Sequence, residues 1–210
     1  MRPQILVDTE TTSLVPDYTT GSGVIWELAL IERDCGAERL WRMRPNVERA
    51  DKKALEIGRF AERTTLMRHA TEWTGADIWD LTTGCGPLWS WPADLALHVA
   101  SLLDGATLIA ANPTFDAGFL TAFLAACGCE PRWHHRLRDI GSMAWAWLSG
   151  RNTHPGAGAW GRYPLPPMDA STDEFARALG LDPDEYERHT ALGDCRLVEA
   201  MLRVMEGGQR

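Results

Sequence analysis

Ile5-Leu6-Val7-Asp8-Thr9-Glu10-Thr11-Thr12 is the stretch on which the fold turns. Three apolar residues run into an acid–hydroxyl–acid triplet, the pattern of a buried strand whose C-terminal end emerges at a surface. Side chains alternate along a strand, so Asp8 and Glu10 share a face and can converge on one cation. Strand C-termini are also where α/β sheets build their sites. By itself the triplet is a weak signal, because most paired surface acids are simply solvated.

Outward from this strand, Val24 to Arg33 reads as a second strand, with Glu38 to Arg44 returning as its hairpin partner across Asp34-Cys35-Gly36. Thr107 to Ala111 is a further short apolar run, halted by Asn112-Pro113. Helical spacing marks Pro92 to Leu103 and Phe115 to Ala126, the second with Phe119, Leu120, Phe123 and Leu124 on one stripe. Ser171-Thr172-Asp173-Glu174 is a capping box, opening a helix that stops at Gly180. A last helix is predicted over about Ala191 to Glu206, with Leu197, Val198, Met201, Leu202 and Met205 inward. Early strands followed by interleaved helices place the chain in the α/β class with a mixed sheet. Residues 71–91, rich in Gly, Thr and Trp, and 150–168, rich in Gly and Pro, read as irregular insertions in a single domain over 1–210.

The net charge of −8, with 29 acidic against 21 basic residues, argues against a module that grips duplex nucleic acid by counterion release. An enzyme that holds only a few terminal nucleotides is not excluded, since local Arg residues and metal ions can replace a basic face. The five cysteines are scattered and odd in number, which fits reduced thiols and a cytoplasmic location. No uncharged apolar run reaches the roughly 18 residues of a membrane span, so no membrane partner is expected.

Two further elements carry acids. Asn112-Pro113-Thr114-Phe115-Asp116 joins a strand end to a helix start, with Asp116 in the first turn and Phe115 expected to fix its aim. A bland reading of Asp116 is a favourable charge at the positive helix end. In His189-Thr190-Ala191-Leu192-Gly193-Asp194, Asp194 lies on an otherwise apolar helix stripe, where an acid is costly unless paired or bound to metal. His189 precedes that helix on a segment free to reach a water. Four free carboxylates in one site would repel one another and raise their pKa values. Divalent cations resolve this, and an all-oxygen donor set selects Mg²⁺ or Mn²⁺ over zinc. A histidine at such a site can take a proton near neutral pH.

The order D-T-E-T-T, N-P-T-F-D, H-x-x-x-x-D resembles the DEDDh exonucleases, the proofreading-type branch of the ribonuclease H-like superfamily, from about residue 5 to 205. The resemblance implies a five-stranded mixed sheet, first three strands antiparallel, flanked by helices. It implies a metal-dependent 3′→5′ exonuclease with Asp8, Glu10, Asp116, His189 and Asp194 catalytic and two divalent cations. Asp8 would bridge both ions, Glu10 and Asp194 would complete one and Asp116 would support the other, with His189 as general base. Thr9, Thr11, Thr12, Leu14, Asn112 and Phe115 fall where the family meets its substrate, Leu14 as a wedge against the last bases. Glu27 matches a recurrent acid of structural role. Ser13 and Ala111 depart from the usual Gly and His, without touching a metal ligand.

The implied substrate is a nucleic acid 3′ end, single-stranded DNA favoured. A 3′→5′ exoribonuclease of the same fold, or a non-catalytic module associated with a DNA polymerase, stand as alternatives. The oligomeric state is not legible. Arg132, Arg136 and Arg138 could hold phosphates and Trp133 a base, while Trp79, Trp89 and Trp91 could form a stacking platform. A solvated loop with one anchored Trp is as good an account of the first group, and core burial of the second.

Overall fold

A computed structural model describes residues 2–64, 78–81, 86–89, 92–153 and 164–207, with backbone alone at 79, 86–89, 152 and 153. The strands are β1 (Gln4–Thr11), β2 (Ile25–Glu32), β3 (Ala37–Met43), β4 (Ile78–Asp80), β5 (Gly86–Trp89), β6 (Thr107–Ala110) and β7 (Arg138–Asp139). The helices are α1 (Lys52–Ile57), α2 (Phe60–Arg63), α3 (Pro92–Leu103), α4 (Pro113–Ala126), α5 (Ile140–Thr153), α6 (Thr172–Ala178) and α7 (Ala191–Met205).

The strands form one sheet in the order β5-β4-β3-β2-β1-β6-β7. From β1 outward to β5 the pairings are antiparallel, whereas β1–β6 and β6–β7 are parallel. The expected arrangement is therefore present as β3-β2-β1-β6-β7, in an α/β architecture. The strand count is corrected: where an irregular insertion is predicted over 71–91, β4 and β5 extend the sheet to seven strands. Ile78, buried at the end of the core and paired with Met43, anchors that extension. The Trp41 indole adds a hydrogen bond to Asp80 Oδ2 at 3.1 Å. A three-residue strand has no period to read, which is why the sequence pattern misses it. α5 likewise runs to Thr153, into the stretch read as irregular from 150.

Burial alternates along β1. Ile5 and Val7 pack on one face with Leu95, Val99, Phe119 and Phe123 of α3 and α4. Leu6 packs on the other with Ile140, Phe175, Val198 and Met201 of α5, α6 and α7. The same alternation continues past the apolar part, so Asp8 and Glu10 face α7 and Thr9 faces α4. Local signals set the helix starts. Pro113 occupies the first turn of α4, where its missing N–H costs nothing. Both bonds of the Ser171–Glu174 capping box are made, and Gly180 follows α6 with φ +79°.

Glu27 of β2 is fully buried and collects three donors. Arg42 Nε reaches it at 2.5 Å, the Arg63 guanidinium pairs with it, and the Ala191 N–H donates at 2.9 Å. One carboxylate thus joins β2, β3, α2 and the start of α7. Glu27→Ala would leave two arginines without it and is expected to cost roughly 3–5 kcal/mol in urea denaturation. Glu38→Ala, which breaks the exposed pair with Arg196, should cost under about 1 kcal/mol. Equal losses would refute the assignment of Glu27 as the buried tie.

Candidate metal centre

Asp8 and Glu10 project from the end of β1 on the face covered by α7, whose first turn carries Asp194. One carboxylate oxygen from each of Asp8, Glu10 and Asp194 lies within 4.8 Å of the others. All three are partly buried. Burial, followed by the Asp116 and Glu10 charges, holds the Asp8 carboxyl well above the ordinary carboxylate range. Burial also pushes Glu10 up to about 7, against the opposing pull of Arg63. These groups resist ionising together, and a divalent cation relieves that resistance by supplying the missing positive charge. Oxygen donors at this spacing suit a hard cation, so the donor set fits a metal.

Asp116 is not one of the three. It is buried at the N-terminus of α4, where Thr9 Oγ1 donates to its Oδ1 at 2.8 Å. Burial raises it to about 7, with the Thr9 bond pulling the other way. Its charge is still felt at both Asp8 and Glu10. Thr9, for which the resemblance implies a substrate contact, is buried with its hydroxyl on Asp116. Thr11 and Thr12 are also buried, their hydroxyls donating to Ser13 O at 2.7 Å and Ser22 O at 2.9 Å. The Thr12 N–H and C=O are used as well, on Val24 O and Asp51 N. The two threonines brace the loop that carries Leu14 and Val15, which are 76% and 69% exposed. Asn112 is exposed and makes no side-chain capping bond, while Phe115 is partly buried against Phe119 at 4.8 Å.

His189 is exposed on the segment before α7, with φ +62°. That segment folds back over the first turn of α7 at Gly193. A Cβ there would lie 2.4 Å from Glu187 O and 2.7 Å from Thr190 Oγ1, so only Gly fits. Thr190 caps the helix by accepting from Gly193 N at 3.1 Å.

Two arginines that the motifs do not point to complete the centre. Arg63 Nη1 lies 3.8 Å from Glu10 Oε1, and Arg188 pairs with Asp194 while its Nε holds Asp173 at 2.8 Å. Arg188 was findable as the neighbour of His189; Arg63 lies in a four-residue helix with no motif. The basic stretch starts away from the acids and ends at Arg138 in β7, paired with Ile109. Arg132 O accepts from Gly105 N and His134 N–H donates to Ala106 O, at the start of β6 and so at the opposite end of the sheet from Asp8 and Glu10. Trp133 packs against the core. The side chains of Trp79, Trp89 and Trp91 lie outside the described residues.

No protein-family model matches the chain, and no curated protein matches it. Among the described residues no helix is long and apolar enough to cross a membrane.

The raised carboxyls predict a pH-dependent stability. In the unfolded chain they ionise near about pH 4. Folded, Glu10 and Asp116 keep their protons up to about pH 7. The folded state therefore holds more protons across that window, and its stability falls as pH rises from about 4 to about 7. A bound cation reverses the loss. The melting-temperature gain from Mg²⁺ or Mn²⁺ should be small at pH 5 and grow towards pH 8, equivalent to about 2.7 kcal/mol at a hundred times Kd. Asp8→Asn should abolish the gain. A metal-independent melting temperature at pH 8 would refute the site.

Proposed function

We propose that this protein is a metal-dependent 3′→5′ exonuclease of ribonuclease H-like fold, acting on single-stranded nucleic acid 3′ ends, DNA favoured. The observation that carries the reading is the meeting of Asp8 and Glu10 from one strand with Asp194 from the last helix, all within 4.8 Å. Asp8 and Glu10 stay raised despite Arg63 and Arg188 nearby, and a phosphodiesterase metal centre would supply the missing charge.

Asp8, Glu10 and Asp194, with Asp116 alongside, would hold two divalent cations, Mg²⁺ or Mn²⁺. When bound, they neutralise these carboxylates and offset the charge that develops on the attacking and leaving oxygens at phosphorus. The chain's own groups do the rest. His189, exposed and sharing Arg63 with Glu10 through its carbonyl, accepts the proton of the attacking water at its imidazole. Thr9 holds Asp116 in aim. Leu14 and Val15 present an apolar edge to the terminal bases, which explains why two large aliphatic side chains stand in solvent. An exposed edge of this kind suits a splayed strand end better than a paired duplex.

The test is digestion of 5′-labelled single-stranded DNA and its RNA counterpart with Mg²⁺, Mn²⁺ or EDTA. A metal-dependent ladder shortening from the 3′ end is expected, absent in Asp8→Ala, and the two substrates rank DNA against RNA. His189→Ala should slow turnover by roughly a hundredfold or more. Its metal-induced gain in melting temperature should persist. Cleavage from the 5′ end, or none with any metal, would refute the function. Collapse of metal binding in His189→Ala would refute the role of the histidine.

A further inference from the structure

The N–H of Ala191 and the carbonyl of His189 are two backbone groups of one short segment, and both are held by one buried ion pair. Ala191 N–H donates to Glu27 Oε1 at 2.9 Å, and His189 O accepts from Arg63 Nη1 at 2.8 Å. Arg63 pairs with Glu27, donates to Gly58 O at 2.9 Å and lies over the Trp26 ring at 4.7 Å. Its side chain is only 8% exposed, and the same guanidinium faces Glu10 Oε1 at 3.8 Å. Gly58 lets this junction of α1 and α2 approach so closely, since a Cβ there would come within 2.8 Å of Glu10 Oε2 and 3.0 Å of Trp26.

We infer that Arg63 is a positioning residue that sets the His189 segment at a defined place relative to the Glu10 carboxylate. The inference rests on the reading of Glu10 and His189 as parts of one hydrolytic centre. His189 has a left-handed backbone, which costs a residue with a side chain about 1–3 kcal/mol and persists only where its surroundings enforce it. The enforcing contacts here are the Arg63 bond to its carbonyl and the Glu27 bond just beyond. A lysine cannot replace them. Its single ammonium cannot lie flat on Trp26 while reaching Glu27, Gly58 O and His189 O in one plane. Because the side chain of His189 is exposed, no packing contact substitutes for that backbone clamp.

The experiment uses Arg63→Lys and Arg63→Gln, each alone and combined with His189→Ala. In the metal-free protein, amide exchange at residues 188–191 should quicken about tenfold or more beyond any change at β1 and β2 amides. On the single-stranded substrate kcat should fall about ten- to a hundredfold, with KM within about twofold. In the His189→Ala background the same substitutions should cost less than about threefold, because the group they position is already gone. Equal losses in both backgrounds, or unchanged exchange at 188–191, would overturn the inference. Failure of both variants to fold would also overturn it, since Arg63 would then hold the fold and not the site. Were the wild-type protein inactive on every substrate, the function would fall, and the exchange measurement alone would still judge the clamp.

Discussion

Glu10 and Glu27 stand directly opposite one another across β1 and β2, and two like charges in such a position destabilise a sheet unless something lies between them. Arg63 lies there, paired with Glu27 and facing Glu10. Much of the local structure follows from this need. The short helix α2 exists to deliver the guanidinium, Trp26 gives it a flat surface, and Gly58 removes the side chain that would block it. The remaining Glu27 bond to Ala191 N–H then fixes where α7 begins, and with it the depth of Asp194.

The centre divides its charges unequally. Glu27 is compensated by Arg42, Arg63 and a backbone donor, so it is a finished structural tie. Asp8, Glu10 and Asp194 have two arginines nearby, yet Asp8 and Glu10 remain raised, so they are an unfinished one. That contrast between neighbouring acids on the same face separates a structural carboxylate from candidate metal ligands. It is a distinction of surroundings and not of residue type.

The strands up to β3, the α4 and α7 helices and the four acids of the three motifs were legible because each carries a local cause: alternation, helical spacing, a proline start or a capping side chain. Thr9, Thr11 and Thr12 show the limit of that legibility. The resemblance implied substrate contacts there, and only folding revealed that their hydroxyls bond Asp116 and the loop carrying Leu14. The backbone of Arg132 and His134 shows it again, since charge in sequence does not say at which end of a sheet it will lie.

By itself the sequence determined the α/β class, the identity of the acidic motifs and the face of β1 on which Asp8 and Glu10 stand, because a strand's two-residue period needs no partner to be read. Tertiary structure alone decided that Thr9 holds Asp116, that β4 and β5 widen the sheet, and that Arg63 and Arg188 attend the centre. Each of these depends on residues far apart in the chain meeting at low solvent exposure. Desolvation and charge pairing act on distance in space, which no local pattern encodes.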